Sequence, residues 1–504
     1  MKKLRNGAML CAAIIAFAIM GCKRTEVSPT NNKADHLPKP AKKTMSTKNA
    51  TGGMCPSLIS YMTDAQITQF MNDFDATNAL YIRMDLPWSV IQPTSTTWNF
   101  TQFDKVIDAA IAKGFKVLVI PTYCPSWANG GNADDKYPPT AAHATSWYNF
   151  VKACADRYIP KGVDAWEMWN EPNITAFWKP TCNVANYTNI VLKNGANAVR
   201  ASATALGKSV TIVSAGLSPA VTNGADISPT DFLTGIYANS GKNYMDAIGI
   251  HPYCFPDGPY STSIYSTFNK VPDLYQIMTN NGDGAKKIWG TEVGWHTGNS
   301  NIGGVTQAQQ AQFVTDAYTR WRSWSYTGPL FWYAYKDLGT NPADREQNFG
   351  LKLSNGTNKP GWQNFVNAMN TSATTYYRIQ NRWQPTQYLL DGGTRVTYGS
   401  GTGDAYLWSL ETYSGFTRIK NKATGEYMHA ENGPTNLNCT TIQADALSSH
   451  FTLTTISTVW KSIKCRWTNN FVNNEGQLGY AECDMSTTPS DSAWYSEQWN
   501  FIQQ

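Results

Sequence analysis

Trp166-Glu167-Met168-Trp169-Asn170-Glu171-Pro172-Asn173 is a short aromatic run that ends in a carboxylate beside a proline turn. Far downstream, Ile288-Trp289-Gly290-Thr291-Glu292-Val293-Gly294-Trp295 repeats the arrangement with a glycine turn. Such a run predicts a strand that delivers one charged side chain to its C-terminal end, among tryptophans. Outward from these two, apolar β-rich runs fall at 57–60, 79–84, 116–121, 165–169, 210–214, 247–250, 288–291 and 330–334. Segments of helical period separate them, at 63–74, 103–113, 145–158, 184–205 and 306–324 among others. Eight strands alternating with helices over roughly 320 residues predict the α/β class and a closed (β/α)8 TIM barrel, spanning 51–370. An open doubly wound sheet is the alternative, but no Gly-rich phosphate loop follows any strand. In a barrel, chemistry lies at the C-terminal strand ends. Glu171 falls just after the fourth strand and Glu292 at the end of the seventh.

Near 369–375 the composition turns to Asn, Thr, Ser and Ala, and beyond it the sequence repeats itself. Tyr377-Arg378-Ile379-Gln380-Asn381 returns as Thr417-Arg418-Ile419-Lys420-Asn421 and more faintly as Lys461-Ser462-Ile463-Lys464-Cys465. Tyr406-Leu407-Trp408-Ser409-Leu410 is echoed by His450-Phe451-Thr452-Leu453 and by Gln498-Trp499-Asn500-Phe501. Three strand-like copies of about 40 residues predict an all-β, pseudo-threefold β-trefoil over 376–504.

The N-terminus reads as an address. Met1-Lys2-Lys3-Leu4-Arg5 is basic, Ala8 to Met20 is apolar, and Ile19-Met20-Gly21-Cys22 closes it like a bacterial lipobox. The run is too short to span a bilayer, so 1–21 is expected to be a lipoprotein signal peptide, with Cys22 lipidated. Residues 22–50 are rich in Lys, Asn, Thr and Pro and are expected to form a flexible tether. The chain is thus expected to be an exported, membrane-anchored bacterial lipoprotein and a monomer, touching the membrane only through lipid.

The formal charge of +5 belongs to these ends. Lys2, Lys3 and Arg5 contribute three, and seven basic residues against Glu26 and Asp35 contribute five, which leaves the rest near −3. A nucleic-acid partner loses its support. The eight cysteines beyond Cys22 and the six histidines show no metal spacing. An aromatic share of 13% against 15% charged residues suits stacking on flat, neutral ligands such as sugars.

Paired carboxylates at strand ends are the equipment for cleaving glycosidic bonds, one as acid and the other as nucleophile or base. The acid must carry a proton while its partner stays ionised, and Arg83, at the end of the second strand, is the cation placed to help. Glu167 is the nearest competitor to Glu171, and side-chain alternation is expected to point it elsewhere. Asp85, Asp164 and Asp337 read as structural.

From about Leu80 to Phe365 the chain resembles glycoside hydrolase clan A, nearest to family 39 and the cellulase-like families around it. The resemblance rests on Tyr81-Ile82-Arg83-Met84-Asp85, Trp88-Ser89-Val90-Ile91-Gln92-Pro93, Pro125-Ser126-Trp127-Ala128, Trp166 through Asn173, Gly249-Ile250-His251-Pro252-Tyr253 and Thr291 through Trp295. It implies a retaining β-glycosidase without metal or organic cofactor, in which Glu171 is the acid/base and Glu292 the nucleophile. Asn170 should bond the sugar 2-hydroxyl, His251 and Tyr253 should orient the carboxylates, and Trp127, Trp295 and Trp332 should stack on sugar rings. The C-terminal repeats resemble the ricin-type lectin fold of carbohydrate-binding module family 13. Its Gln-x-Trp signature is altered here, because Gln498-Trp499 lacks the middle residue. Asp391 and Asp404 are its candidate polar contacts. A lectin-like module implies a polysaccharide substrate and endo-action. An exo-acting β-xylosidase-like enzyme and a non-catalytic carbohydrate-binding lipoprotein are the alternatives.

Overall fold

The computed structural model describes residues 48–504 except 264–265, 371–374, 414, 432–435 and 444. The signal at 1–21, Cys22 and nearly all of the 22–50 tether lie outside the described residues. The chain divides into two compact units at 371/372.

In the first unit eight parallel strands close into a barrel in sequence order. They are β1 (Asn49–Cys55), β2 (Ala79–Pro87), β3 (Lys116–Thr122), β4 (Ala165–Asn170), β5 (Thr211–Gly216), β6 (Ala247–Ile250), β7 (Lys287–Val293) and β8 (Thr327–Tyr333). Helices Asp64–Asp75, Thr101–Ala112, Ala144–Tyr158, Lys193–Ala205, Pro229–Ala238, Val271–Asn280, Gln307–Ser323 and Pro360–Asn370 follow them in turn. The first of these shows why they form. Ile67, Phe70, Met71 and Phe74 recur on one buried face, and a Thr63–Gln66 capping box satisfies its N-terminus.

The first strand corrects the sequence reading. Residues 57–60 are not a strand but lead into a 3-10 turn at Ile59–Tyr61. β1 lies earlier, across the 50/51 boundary expected between tether and barrel, and its Gly52-Gly53 pair lowers the strand signal there. The glycine is needed: a Cβ on Gly53 would overlap the Phe331 ring, on the strand that pairs with β1 to close the barrel.

Strand alternation sorts the barrel into layers. Residues pointing outward pack under the helices as one large core. Pointing inward at the bottom are Cys55, Tyr81, Leu118, Ala165, Val213, Ala247, Trp289 and Phe331. Two residues further along the same strands the interior turns polar, with Arg83 on β2, Glu167 on β4 and Thr291 on β7, all buried.

Among its described residues the second unit holds twelve strands, four per sequence repeat. They are β9 (Tyr376–Asn381), β10 (Tyr388–Asp391), β11 (Val396–Gly399), β12 (Trp408–Tyr413), β13 (Phe416–Asn421), β14 (Tyr427–His429), β15 (Asn438–Thr440), β16 (Phe451–Thr455), β17 (Trp460–Cys465), β18 (Phe471–Asn473), β19 (Glu482–Met485) and β20 (Trp499–Gln503). Antiparallel pairings run β9–β12–β13–β16–β17–β20 and return to β9, a closed ring of six. The other six form three hairpins, β10–β11, β14–β15 and β18–β19. The repeated residues are its core: Ile379, Ile419 and Ile463 are buried, as are Trp408, Phe451 and Trp499.

Candidate active site

Glu171 is placed by an abrupt change of backbone at the end of β4. Trp169 and Glu171 both take left-handed conformations, at φ 79 and 45, which a non-glycine residue adopts at a cost of about 1–3 kcal/mol. The change breaks side-chain alternation. Trp169 turns outward, fully buried between Trp147 and Trp178 at centroid distances of 5.8 and 5.6 Å. Asn170 and Glu171 both turn towards the barrel axis, where they meet Arg83 and His251 respectively.

His251, just beyond β6, joins the two glutamates. Its Nδ1 lies 2.7 Å from Glu171 Oε1 and 3.6 Å from Glu292 Oε2. Glu171, His251 and Glu292 each bring one oxygen or nitrogen within 4.8 Å of the others. Room for the ring is kept by Gly216 on β5, where a Cβ would overlap His251 and the Thr291 hydroxyl.

Glu292, on β7, is braced from two sides. Tyr253 donates its hydroxyl to Oε2 at 2.8 Å, and Arg83 Nη1 donates to Oε1. Burial alone would raise this carboxylate, but the His251 and Arg83 charges and the Tyr253 bond outweigh it and hold Glu292 below its ordinary value. Burial alone would lower His251, and the Glu292 charge and the Glu171 contact raise it. The site therefore favours an ionised Glu292.

Arg83 is itself fixed by a residue the sequence reading passed over. Glu167, wholly buried, accepts from Arg83 Nε at 2.8 Å, Gly216 N at 2.7 Å and Thr291 Oγ1 at 2.9 Å. It faces the barrel interior as Glu171 does, a layer deeper, so alternation does not turn it away. Glu171 lies beyond the end of β4, where the left-handed backbone has already reset the alternation. Arg83 Nη2 also donates to Asn170 Oδ1 at 3.0 Å. The bond turns the Asn170 amide so that Nδ2 keeps no partner among the described residues.

The structure thus brings Glu171, Glu292, Asn170, Arg83, His251 and Tyr253 together. The expected stacking platforms fare differently. Trp295 and Trp332 are fully buried and stack on each other at 5.7 Å, so neither offers a face to a sugar. Trp332 points outward from β8 into the layer beneath the helices. Its neighbour Tyr333 is turned inward by alternation and feels the Glu292 charge; a one-residue choice of register decides which ring meets the cleft. Trp127 is half-buried, edge-on to Trp88 and bonded through Nε1 to Gln92 O. Asp164 and Asp337 are structural, paired with Lys116 at 2.6 Å and Lys359 at 2.8 Å.

Among the described residues, two sets of side chains have the spacing to hold a cation. In Glu171–His251–Glu292 the donors already bond one another and Tyr253, and the Arg83 guanidinium occupies the cationic position. In Asp391–Glu426–Cys439, Asp391 accepts from Gly393 N and the Thr424 hydroxyl, and burial pushes the Cys439 thiol up. Neither donor set requires an ion.

A (β/α)8 barrel with carboxylates at the ends of β4 and β7 is the architecture of the clan A glycoside hydrolases. The sequence profile described as cellulase (glycosyl hydrolase family 5) matches residues 40–328, and the chain belongs to that family. It is a glycosidase, whose substrate is carbohydrate. Among solved structures, a family 39 glycoside hydrolase from the gut symbiont Bacteroides cellulosilyticus WH2 is similar in fold. It has 18% identity over 91% of this chain and 81% of its own, and a TM-score of 0.55. The GH39 enzyme from Xanthomonas axonopodis pv. citri has 16% identity over 73% of this chain and 72% of its own, with a TM-score of 0.47. A GH5_18 enzyme from Bifidobacterium longum subsp. infantis has 12% identity over 64% and 80%, with a TM-score of 0.45.

Proposed function

We propose that the protein is a retaining β-glycosidase that cleaves a polysaccharide internally, with Glu292 as nucleophile and Glu171 as acid/base. The observation that carries this reading is the convergence of two carboxylates, an oxygen of each within 4.8 Å of the other, on a site that keeps one of them ionised. Retaining glycosidases hold their carboxyl groups about 5–5.5 Å apart, and inverting ones about 6.5–9.5 Å. Glu292 attacks the anomeric carbon as Glu171 gives its proton to the departing oxygen. Glu171 then takes a proton from the water that releases the glycosyl group. His251, which bonds Oε1 of Glu171, leaves Oε2 for this work. Asn170 Nδ2 donates to the 2-hydroxyl of the attacked sugar, a bond that strengthens as positive charge builds on the ring.

The second unit, on this reading, is a ricin-type β-trefoil that holds the polymer near the barrel. Trp383 and Trp467 follow the first strand of the first and third repeats and are 41% and 63% exposed, as stacking platforms need to be. Asp391 is largely buried and bonded within its turn, so it is withdrawn as a sugar contact. Asp404 pairs with Lys422 at 3.0 Å and stays more than half exposed. A binding site on the same chain raises the local concentration of polymer segments, which favours endo-action. Export and anchoring through Cys22 complete the proposal.

Product profiling of residues 23–504 on a polysaccharide panel tests it, with Glu171→Ala and Glu292→Ala alongside. Short oligosaccharides from one polymer, absent with both variants, are expected. Monosaccharide alone would turn the reading to an exo-enzyme. Variants that cleave as well as the parent would remove the site assignment.

A further inference from the structure

Alternate residues of β2 climb the inner wall of the barrel: Tyr81 in the apolar floor, Arg83 among the carboxylates, then Asp85. Two residues of strand advance about 7 Å, so Asp85 stands one layer above Arg83, at the mouth of the site. It is half-buried, and no described group bonds its carboxylate. That separates it from the other acids of the cleft. Glu167 and Glu292 are held as described, and Asp135 is bonded by Ser89 at 2.9 Å and Lys136 at 2.6 Å.

Several groups face Asp85 electrostatically. Arg83 on β2, Glu292 on β7, Glu167 on β4 and Lys136 in the loop after β3 all act on it. Asp85 in turn acts on the phenols of Tyr61, after β1, and Tyr123, after β3. Burial, aided by the two glutamate charges and opposed by Arg83, pushes Asp85 up to about 6. Tyr123 is fixed in a left-handed conformation at φ 55, with Lys136 Nζ 4.8 Å from its ring centroid. Tyr61 is 66% exposed. A carboxylate with open lone pairs and two phenols within its electrostatic reach has the chemistry for a pyranose: the oxygens accept from adjacent hydroxyls, and aromatic rings cover carbon faces. The cations nearby are spent, Arg83 on Glu167, Glu292 and Asn170, and Lys136 on Asp135. A uronate or sulfated sugar would meet Glu292, Asp85 and Asp135 with no uncommitted counter-charge, since His251 is bonded to Glu171.

We propose that Asp85 is a substrate-contact residue that fixes the sugar over Glu292 through a pair of adjacent hydroxyls, and that this wall restricts the enzyme to neutral glycans. The proposal rests on the glycosidase reading of the same site. It is tested by calorimetric titration of residues 23–504, and of its Asp85→Asn and Glu292→Gln variants, with gluco-, manno-, galacto- and xylo-configured iminosugars and one uronic-acid-configured analogue. A lost bond to a charged acceptor weakens binding by about 10- to 100-fold. That loss is expected for Asp85→Asn with the best neutral probe, at an unchanged melting temperature, and the uronic analogue is expected to bind weakly to the parent. Parent-like affinity in Asp85→Asn while Glu292→Gln is weakened would overturn the role of Asp85 alone. So would a lowered melting temperature with unchanged affinity, which marks a structural residue. Tight binding of the uronic analogue would overturn the restriction to neutral glycans. If the parent binds none of the probes, or Glu292→Gln binds them as well as the parent, the glycosidase reading falls and the proposal with it.

Discussion

Tyr253→Phe removes a single hydroxyl from the group that keeps Glu292 ionised. That hydroxyl donates to Oε2 at 2.8 Å, while Arg83 and His251 remain in place. Burial would raise Glu292, and the three neighbours together lower it, so deleting one of them moves it upward. A hydrogen bond to a charged acceptor contributes about 1.5–3 kcal/mol, and one pKa unit corresponds to about 1.36 kcal/mol. Part of the bond persists to the protonated acid, so the net rise is about one unit. Tyr253 itself is held well above its ordinary value by burial and the Glu292 charge, and stays neutral throughout. The assay is kcat/KM against pH on the polymer that the panel identifies, with melting temperatures as the control for folding. The acid limb, which reports ionisation of Glu292, is expected to move up by about one unit. Below the limb the variant then falls about tenfold behind the parent, and well above it the two converge. An unmoved acid limb, or a uniform loss at every pH, would refute the reasoning.

Three further perturbations separate structure from chemistry. Glu167→Gln breaks a buried ion pair and should cost about 3–5 kcal/mol in denaturant unfolding as well as most activity; a loss below about 1 kcal/mol would deny its anchoring role. Trp332→Ala opens the outer core and should destabilise by about 3–5 kcal/mol with KM unchanged in the folded protein, whereas a raised KM would return Trp332 to the cleft. Glu497 is buried, neither carboxylate oxygen has a partner among the described residues, and burial with the Glu475 and Asp484 charges pushes it from an ordinary 4.5 to about 7. Its folded value is the higher one, so the unfolded chain gives up the proton first, and the second unit loses up to about 3 kcal/mol as pH rises from 4.5 to 7. Glu497→Gln should abolish that slope in calorimetry; a slope equal to the parent's would contradict it.

Seven of the eight barrel strands were legible because an apolar run of a few residues bounded by turns leaves little choice. β1 was not, because Gly52 and Gly53 carry no side chain to signal a strand, and their reason for being there, the approach of Phe331, lies far away in sequence. Glu171 and Glu292 were legible from their strand-end positions. The sequence could not reveal that Glu167, itself held by the Thr291 hydroxyl, fixes Arg83, since that network is assembled across three strands of a closed barrel. The tryptophans misled for a related reason. Trp332 and Tyr333 are equally plausible platforms in sequence, and the register of β8 alone puts Tyr333 inside. Trp169 escapes even that rule, because its left-handed backbone resets the alternation.

The double displacement we propose makes one demand on the product. Proton NMR during early cleavage of the identified polymer, before mutarotation, reads the configuration of the new reducing end. Retention with Glu292 as nucleophile predicts that the β anomer appears first and the α anomer only as the mixture equilibrates. The α anomer appearing first would mean single displacement by water, and would contradict the roles assigned to Glu171 and Glu292.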